Sequence, residues 1–218
     1  MTLRATIIPV TAFQQNCSII WSAETREGAV IDPGGDLEHI LAAAGDEGVR
    51  LTKILLTHAH IDHAGATQAL AERLGLPIEG PHPDDQFWID MLPEQARTIG
   101  FESVATFTPT RWLYQGGSVQ VGPETLEVYH CPGHTPVHVV FHARADRLAF
   151  VGYVLFAGSI GRTDFPRGDH PTLINSITRN LWPLGNDVTF IPGHGPASTF
   201  GQERATNPFV GDRVLQRS

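Results

Sequence analysis

Three histidines and an aspartate fall within six positions, His58, His60, Asp62 and His63, directly after an apolar segment at 53–57. Neutral imidazole is a strong ligand for zinc and iron, and alternation along extended chain puts His58 and His60 on one side. The turn into the next element brings His63 to a neighbouring position. Packing three imidazoles and a carboxylate beside an apolar strand is unfavourable unless their lone pairs are satisfied, which a metal ion does directly. Two further histidines stand in turns of one design, Cys131-Pro132-Gly133-His134-Thr135 and Ile191-Pro192-Gly193-His194-Gly195. Each follows a strand-like run, and Pro-Gly turns the chain sharply enough to present the next side chain at a sheet edge. The chemistry these residues point to is Lewis-acid activation of water and of a carbonyl. His39, His82 and His170 have no such setting and read as half-buried residues satisfied by backbone.

The elements that position these side chains are legible as short apolar runs between turn residues. Strands are expected at 5–10, 17–21, 29–31 and 53–57, the third closed by Asp32-Pro33-Gly34-Gly35. Leu37, Ile40, Leu41 and Ala44 give a helix with one buried face and Asp36 as its N-cap. A second helix is expected at 64–74, stopped by Gly75 and Pro77. The proline-containing stretch 80–114 holds two short amphipathic pieces, 84–91 and 94–99, and reads as a surface excursion. Strands return at 118–121, 125–129, 137–142, 148–151 and 188–191, with a helix at 171–181. The apolar run 148–158 is too short to cross a bilayer as a helix and reads as buried sheet. The pattern is α/β, with sheets covered by helices on their outer faces.

At 218 residues the chain is expected to form one domain, 1–218. Its net charge of −8 disfavours a nucleic-acid partner, whose phosphates are captured by clustered cations. A lysine-dependent mechanism has a single candidate, Lys53. The first residues, MTLRATIIPVTAF, lack the pattern of a secretory signal, so the expected compartment is cytoplasmic, with no membrane partner. Cys17 and Cys131 are then expected to be free thiols in the core.

His58 to His63 (HAHIDH), Pro132 to Thr135 (PGHT) and Pro192 to Pro196 (PGHGP), in this order and spacing, resemble the metallo-β-lactamase superfamily. Pro9-Val10-Thr11, Gln15-Asn16-Cys17, the Asp32-Pro33-Gly34-Gly35 turn, Leu155-Phe156-Ala157-Gly158, Gly161-Arg162, Gly168-Asp169-His170 and Asn207-Pro208-Phe209 narrow the resemblance to short bacterial glyoxalase II-like hydrolases. The resemblance implies a four-layer αβ/βα sandwich with a binuclear metal site at the sheet edge. His58, His60 and His134 would hold one metal, and Asp62, His63 and His194 the other. Zinc, up to two ions per chain, is the implied cofactor, with iron or manganese as alternatives. His58, His60 and Asp62 would form the catalytic centre of a thioester hydrolase, with a metal-bound hydroxide as nucleophile. The implied substrate is a small-molecule thioester of the hydroxyacylglutathione type, with Arg162 where the family places a cationic contact. The C-terminal helical domain of full-length glyoxalase II is not expected.

Two positions depart from the family pattern. Gly152-Tyr153-Val154-Leu155-Phe156 stands where Gly-Asp-x-Leu-Phe would supply a metal-bridging aspartate. A phenol bridges poorly unless the metals ionise it, so Tyr153 reads either as a metal-bound phenolate or as a neutral plug or hydrogen-bond donor, with weakened metal binding and reduced activity. Val137 replaces a glycine and would shift the loop carrying His134 if that glycine needed a positive φ. The alternatives are a mononuclear iron persulfide dioxygenase, whose facial triad would lack the carboxylate that Tyr153 replaces, and a metal-poor, non-catalytic variant. A β-lactamase and an RNA-processing enzyme are disfavoured by the absent export signal and the negative charge.

Overall fold

The computed structural model describes residues 2–101 and 103–216. A first sheet runs in the order β1 (Leu3–Val10), β2 (Gln15–Ser22), β3 (Glu27–Ile31), β4 (Arg50–Leu55) and β5 (Ile78–Glu79). A second is built from β6 (Ser118–Val121), β7 (Glu124–His130), β8 (Val139–Ala143) and β9 (Leu148–Gly152). A small ribbon, β10 (Leu155–Phe156) with β11 (Ser159–Ile160), interrupts it in sequence before β12 (Thr189–Pro192) and β13 (Ser198–Thr199) complete the order β13-β12-β9-β8-β7-β6. The helices are α1 (Leu37–Asp46), α2 (Ile61–Ala64), α3 (Thr67–Leu74), α4 (Gln86–Ile99), α5 (His170–Ser176), α6 (Phe200–Thr206) and α7 (Asp212–Leu215).

Side-chain alternation divides the apolar residues among three clusters and so fixes the layering. Ile20, Ala29, Ile31 and Leu55 face Val139, Phe141, Phe150 and Ile191 between the sheets. Their sequence neighbours Ile19, Val30 and Ile54 point outward, against Ile40 of α1, Leu70 of α3 and Ile89 of α4. On the other side Val140, Ala149 and Phe190 meet Leu173 and Phe200 of α5 and α6. The central strands are therefore buried on both faces, which is why they read as continuous apolar runs. The result is the expected αβ/βα sandwich. No helix among the described residues is long and apolar enough to cross a membrane.

Several local expectations are corrected. The 80–114 stretch is not a surface excursion of two short pieces. Residues 86–99 form one helix, α4, that continues through Pro93 and buries Trp88, Ile89, Leu92 and Ala96 on one face. The helix anticipated at 64–74 starts later, as α3 at Thr67, and is separated from the preceding turn of α2 where the Ala66 N–H donates to the Pro33 carbonyl. Asp36 occupies the N-cap position of α1, but at φ 49° its side chain makes no capping bond, and its carboxylate accepts instead from the Thr11 N–H at 2.6 Å. The run 148–158 leaves the sheet at Gly152, and Ala157 and Gly158 are exposed. His39 and His170 are exposed rather than half-buried. Cys17 and Cys131 are buried free thiols, as expected.

Candidate metal centre

The ligand candidates converge at one edge of the sandwich, beyond the ends of β4, β9 and β12. His58 and His60 follow β4, and Asp62 and His63 lie in the single turn of α2. His134 follows β7, and His194 follows β12. Glycines permit the close approach of these loops. A Cβ on Gly34 would stand 1.6 Å from the Asp62 carbonyl oxygen, and one on Gly193 would stand 2.4 Å from the His63 ring. The six residues form two groups with ligand atoms within 4.8 Å of one another, His58/His60/His134 and Asp62/His63/His194. A third group of the same compactness, Asp32/His58/His63, shares one histidine with each of them.

Hydrogen bonds to the protein fix four rings so that Nε2 remains an acceptor. The Asp32 carboxylate accepts from Nδ1 of His63 at 2.8 Å and from the Thr57 hydroxyl at 2.6 Å. That hydroxyl oxygen in turn accepts from Nδ1 of His58 at 3.0 Å. Nδ1 of His134 donates to the Arg162 carbonyl at 2.7 Å, and Nδ1 of His194 to the Phe13 carbonyl at 3.2 Å. On the inner side, Nε2 of His134 lies 3.0 Å from Nδ1 of His60, and Nε2 of His194 lies 3.1 Å from the Asp62 carboxylate. Nε2 of His58, His60 and His63 is buried without a hydrogen-bond partner. Orphaned buried acceptors of this kind are costly, and a cation among them removes the cost.

The two groups differ electrostatically. Burial, reinforced by neighbouring imidazoles, pushes His58 and His60 well below the usual histidine range, and burial pushes His134 down to about 4. These three are neutral at pH 7, with lone pairs available. His63 is also penalised by burial, but the charges of Asp62 and Asp32 outweigh it and raise its pKa. Burial would raise Asp62, yet His63, His194 and His60 hold its carboxyl far below the ordinary range. One group is thus a neutral imidazole trio, and the other carries a permanent carboxylate. Both donor sets suit a divalent metal.

Tyr153 stands at the junction. Its ring stacks on His134 with centroids 4.2 Å apart, and lies 5.5 Å from His194 and 6.3 Å from His63. Burial and the nearby Asp62 charge raise its phenol pKa, so it is neutral here. Its backbone N–H donates to Nε2 of His138 at 3.0 Å, and the His138 ring stacks on His58 at 4.7 Å. Reading the sequence missed both His138 and the orienting role of Asp32. A charged residue before Pro-Gly-Gly reads as turn chemistry, and His138 sits beside a strand whose other residues are core. Val137 is buried and is not among the positive-φ residues, so it imposes no backbone strain on the His134 loop. The Arg162 guanidinium is paired in bidentate fashion with Asp164, both bonds 2.6 Å, and lies over the Phe165 ring. Lys53 is taken up by Glu79 at 2.6 Å. A cavity of 730 Å³ opens over His60, Asp62, His134, Tyr153 and His194.

The layering and the ligand cluster define a class, an αβ/βα sandwich with a divalent-metal site at the sheet edge. The chain belongs to the metallo-beta-lactamase superfamily, whose model matches residues 10–194. It is 46% identical over 208 residues to hydroxyacylglutathione hydrolase GloC of Haemophilus influenzae, covering 95% of this chain and 98% of that one. Among solved structures it resembles the BLEG-1 B3 metallo-beta-lactamase, with TM-score 0.87, 35% identity and coverage of 95% and 99%. It also resembles TTHA1623 in a di-iron-bound form, with TM-score 0.85, 37% identity and coverage of 94% and 99%.

Proposed function

We propose that this protein is a metal-dependent thioester hydrolase acting on glutathione conjugates of the hydroxyacyl type. The observation that carries this reading is the pair of adjoining ligand groups, one neutral and one carboxylate-bearing, at the floor of a substrate-sized cavity. The 46% identity to a hydroxyacylglutathione hydrolase supports the substrate class. His58, His60 and His134 would hold one zinc ion, and Asp62, His63 and His194 a second. Zinc bound there would supply Lewis acidity and a water activated at neutral pH.

The chain's own residues prepare that chemistry. Asp32, through His63 directly and His58 by way of Thr57, fixes the two rings in the tautomer that leaves Nε2 free. Tyr153, neutral in the cavity wall, offers a donor to charge developing on the thioester oxygen but supplies no bridging carboxylate. The two ligand groups would therefore hold their metals without the charge that a shared carboxylate adds. The test is metal content per chain by elemental mass spectrometry, with S-lactoylglutathione turnover on the same sample. Metal together with turnover that chelation removes supports the reading, and a metal-loaded protein that leaves the thioester intact refutes it.

A further inference from the structure

The cavity has one wall that hydrolysis itself does not require. Trp88, Met91 and Ile99 of α4 contribute to it, with Phe13 from the β1–β2 turn and Phe165 from the loop before α5. Large apolar side chains left exposed on a surface are usually scattered. Here Phe13, Met91 and Ile99 are 48%, 37% and 42% exposed, and all three line this cavity. The apolar wall continues down to the ligands, since the His60 ring lies 4.4 Å from Trp88 and 4.9 Å from Phe165.

Charge excludes the alternative occupants of that wall. Arg162 is the one cation among the described lining residues, and Asp164 already holds it through two 2.6 Å bonds. Glu94 lines the same cavity and repels an anion. A second depression of 360 Å³, lined by Phe156, Ser159 and Gly195, shares Tyr153, Arg162 and His194 with the first. The two depressions meet at Tyr153, Arg162 and His194, beside the ligand cluster, so an extended thioester can run from one into the other.

We propose that the larger cavity binds the acyl half of the thioester and selects an uncharged hydrocarbon or aryl chain, with the thiol carrier lying across the smaller depression. The proposal rests on the thioester-hydrolase reading. In the reaction water adds OH to the acyl carbon, the carbon–sulfur bond breaks, and the sulfur leaves with the electron pair and takes the remaining proton.

The test has two arms on the full chain. In the first, kcat/KM is measured for S-lactoyl-, S-butyryl-, S-hexanoyl- and S-succinylglutathione. It is expected to rise about fourfold per buried methylene, with succinyl about tenfold or more below hexanoyl. In the second, calorimetry compares the uncleavable thioethers S-hexylglutathione and S-methylglutathione, the hexyl compound binding about tenfold or more tightly. Met91→Glu and Ile99→Asp, at exposed positions, should erase both preferences. Equal binding of the two thioethers, binding of neither, or preferences that survive Met91→Glu would overturn the proposal. If no thioester is cleaved, the hydrolase reading fails while the thioether arm still decides the cavity.

Discussion

Asp32 and His63 form a buried pair, with a carboxylate oxygen 2.8 Å from Nδ1 of the ring and both side chains almost wholly excluded from solvent. The same carboxylate accepts from the Thr57 N–H at 2.8 Å and from its hydroxyl, so one residue organises the chain on which the first histidines stand. Asp32 itself is held at φ 52°, an uncommon conformation for a residue with a side chain, by the turn that follows β3. Asp32→Ala should lower zinc affinity at the Asp62/His63/His194 group about 10- to 100-fold, read by titration against a chromophoric chelator. The metal-free protein should also lose about 1–3 kcal/mol in denaturant unfolding, because the Thr57 N–H is left unpaired. Unchanged affinity would separate Asp32 from the metal centre.

Tyr153→Asp places a carboxylate between the two ligand groups, where the stacked phenol now stands against His134. Metal content should rise towards about two ions per chain and S-lactoylglutathione turnover should increase, since the added charge favours a second cation. If elemental analysis and turnover both stay at the parent level, the limit on this site lies outside Tyr153.

His60→Ala removes one member of the imidazole trio and should abolish binding at that group while sparing the Asp62 group. Isothermal titration with zinc would show one lost class of sites. Retained stoichiometry would mean that the ligand assignment is wrong.

The convergence of the histidines was legible because His58, His60, His134 and His194 follow strand ends in turns, a setting that overrides the ordinary packing explanation for a histidine. The layering was legible for a related reason. Inner residues such as Ile20 and outer ones such as Ile19 give continuous apolar runs that only doubly covered strands explain. Helix α4 was not legible, because Pro93 in its middle reads as a break. The burial of Trp88, Ile89, Leu92 and Ala96 on one face outweighs the loss of one backbone donor. Asp36 shows the same competition in miniature. Its side chain fits a cap, but the Thr11 N–H, distant in sequence, takes it.

Asp85, at the start of α4, is fully buried, and its carboxylate accepts from the N–H of Ala59, between His58 and His60 in sequence, at 2.8 Å. Burial raises its pKa to about 8. The folded protein therefore holds a proton that the unfolded chain, with a carboxyl pKa near ~4, has released above that pH. The stability from this group is fully present below pH ~4 and is lost as pH rises towards about 8. Denaturant unfolding of the metal-free protein should show stability falling with pH in that window, by no more than about 1.4 kcal/mol per unit from this group. Asp85→Asn keeps an oxygen for Ala59 and should flatten the slope. A slope unaffected by the substitution would assign the pH dependence to other groups.

Leu92 tests whether α4 is an integral part of the fold. Its side chain is wholly buried in the outer cluster with Trp88 and Ile89, and the same helix sends Gln95 to accept from the Ile61 N–H at 3.3 Å, at the start of α2. A leucine in such a place contributes both transfer energy and the filling of space that its neighbours cannot close. Leu92→Ala should cost about 2–5 kcal/mol in urea unfolding, with an unchanged m-value if the transition remains two-state. Because Trp88 touches the His60 ring, loosening α4 should also weaken zinc binding at the imidazole trio. A loss below about 0.5 kcal/mol, the range of surface substitutions, would mean that the 80–114 stretch behaves in solution as an excursion after all.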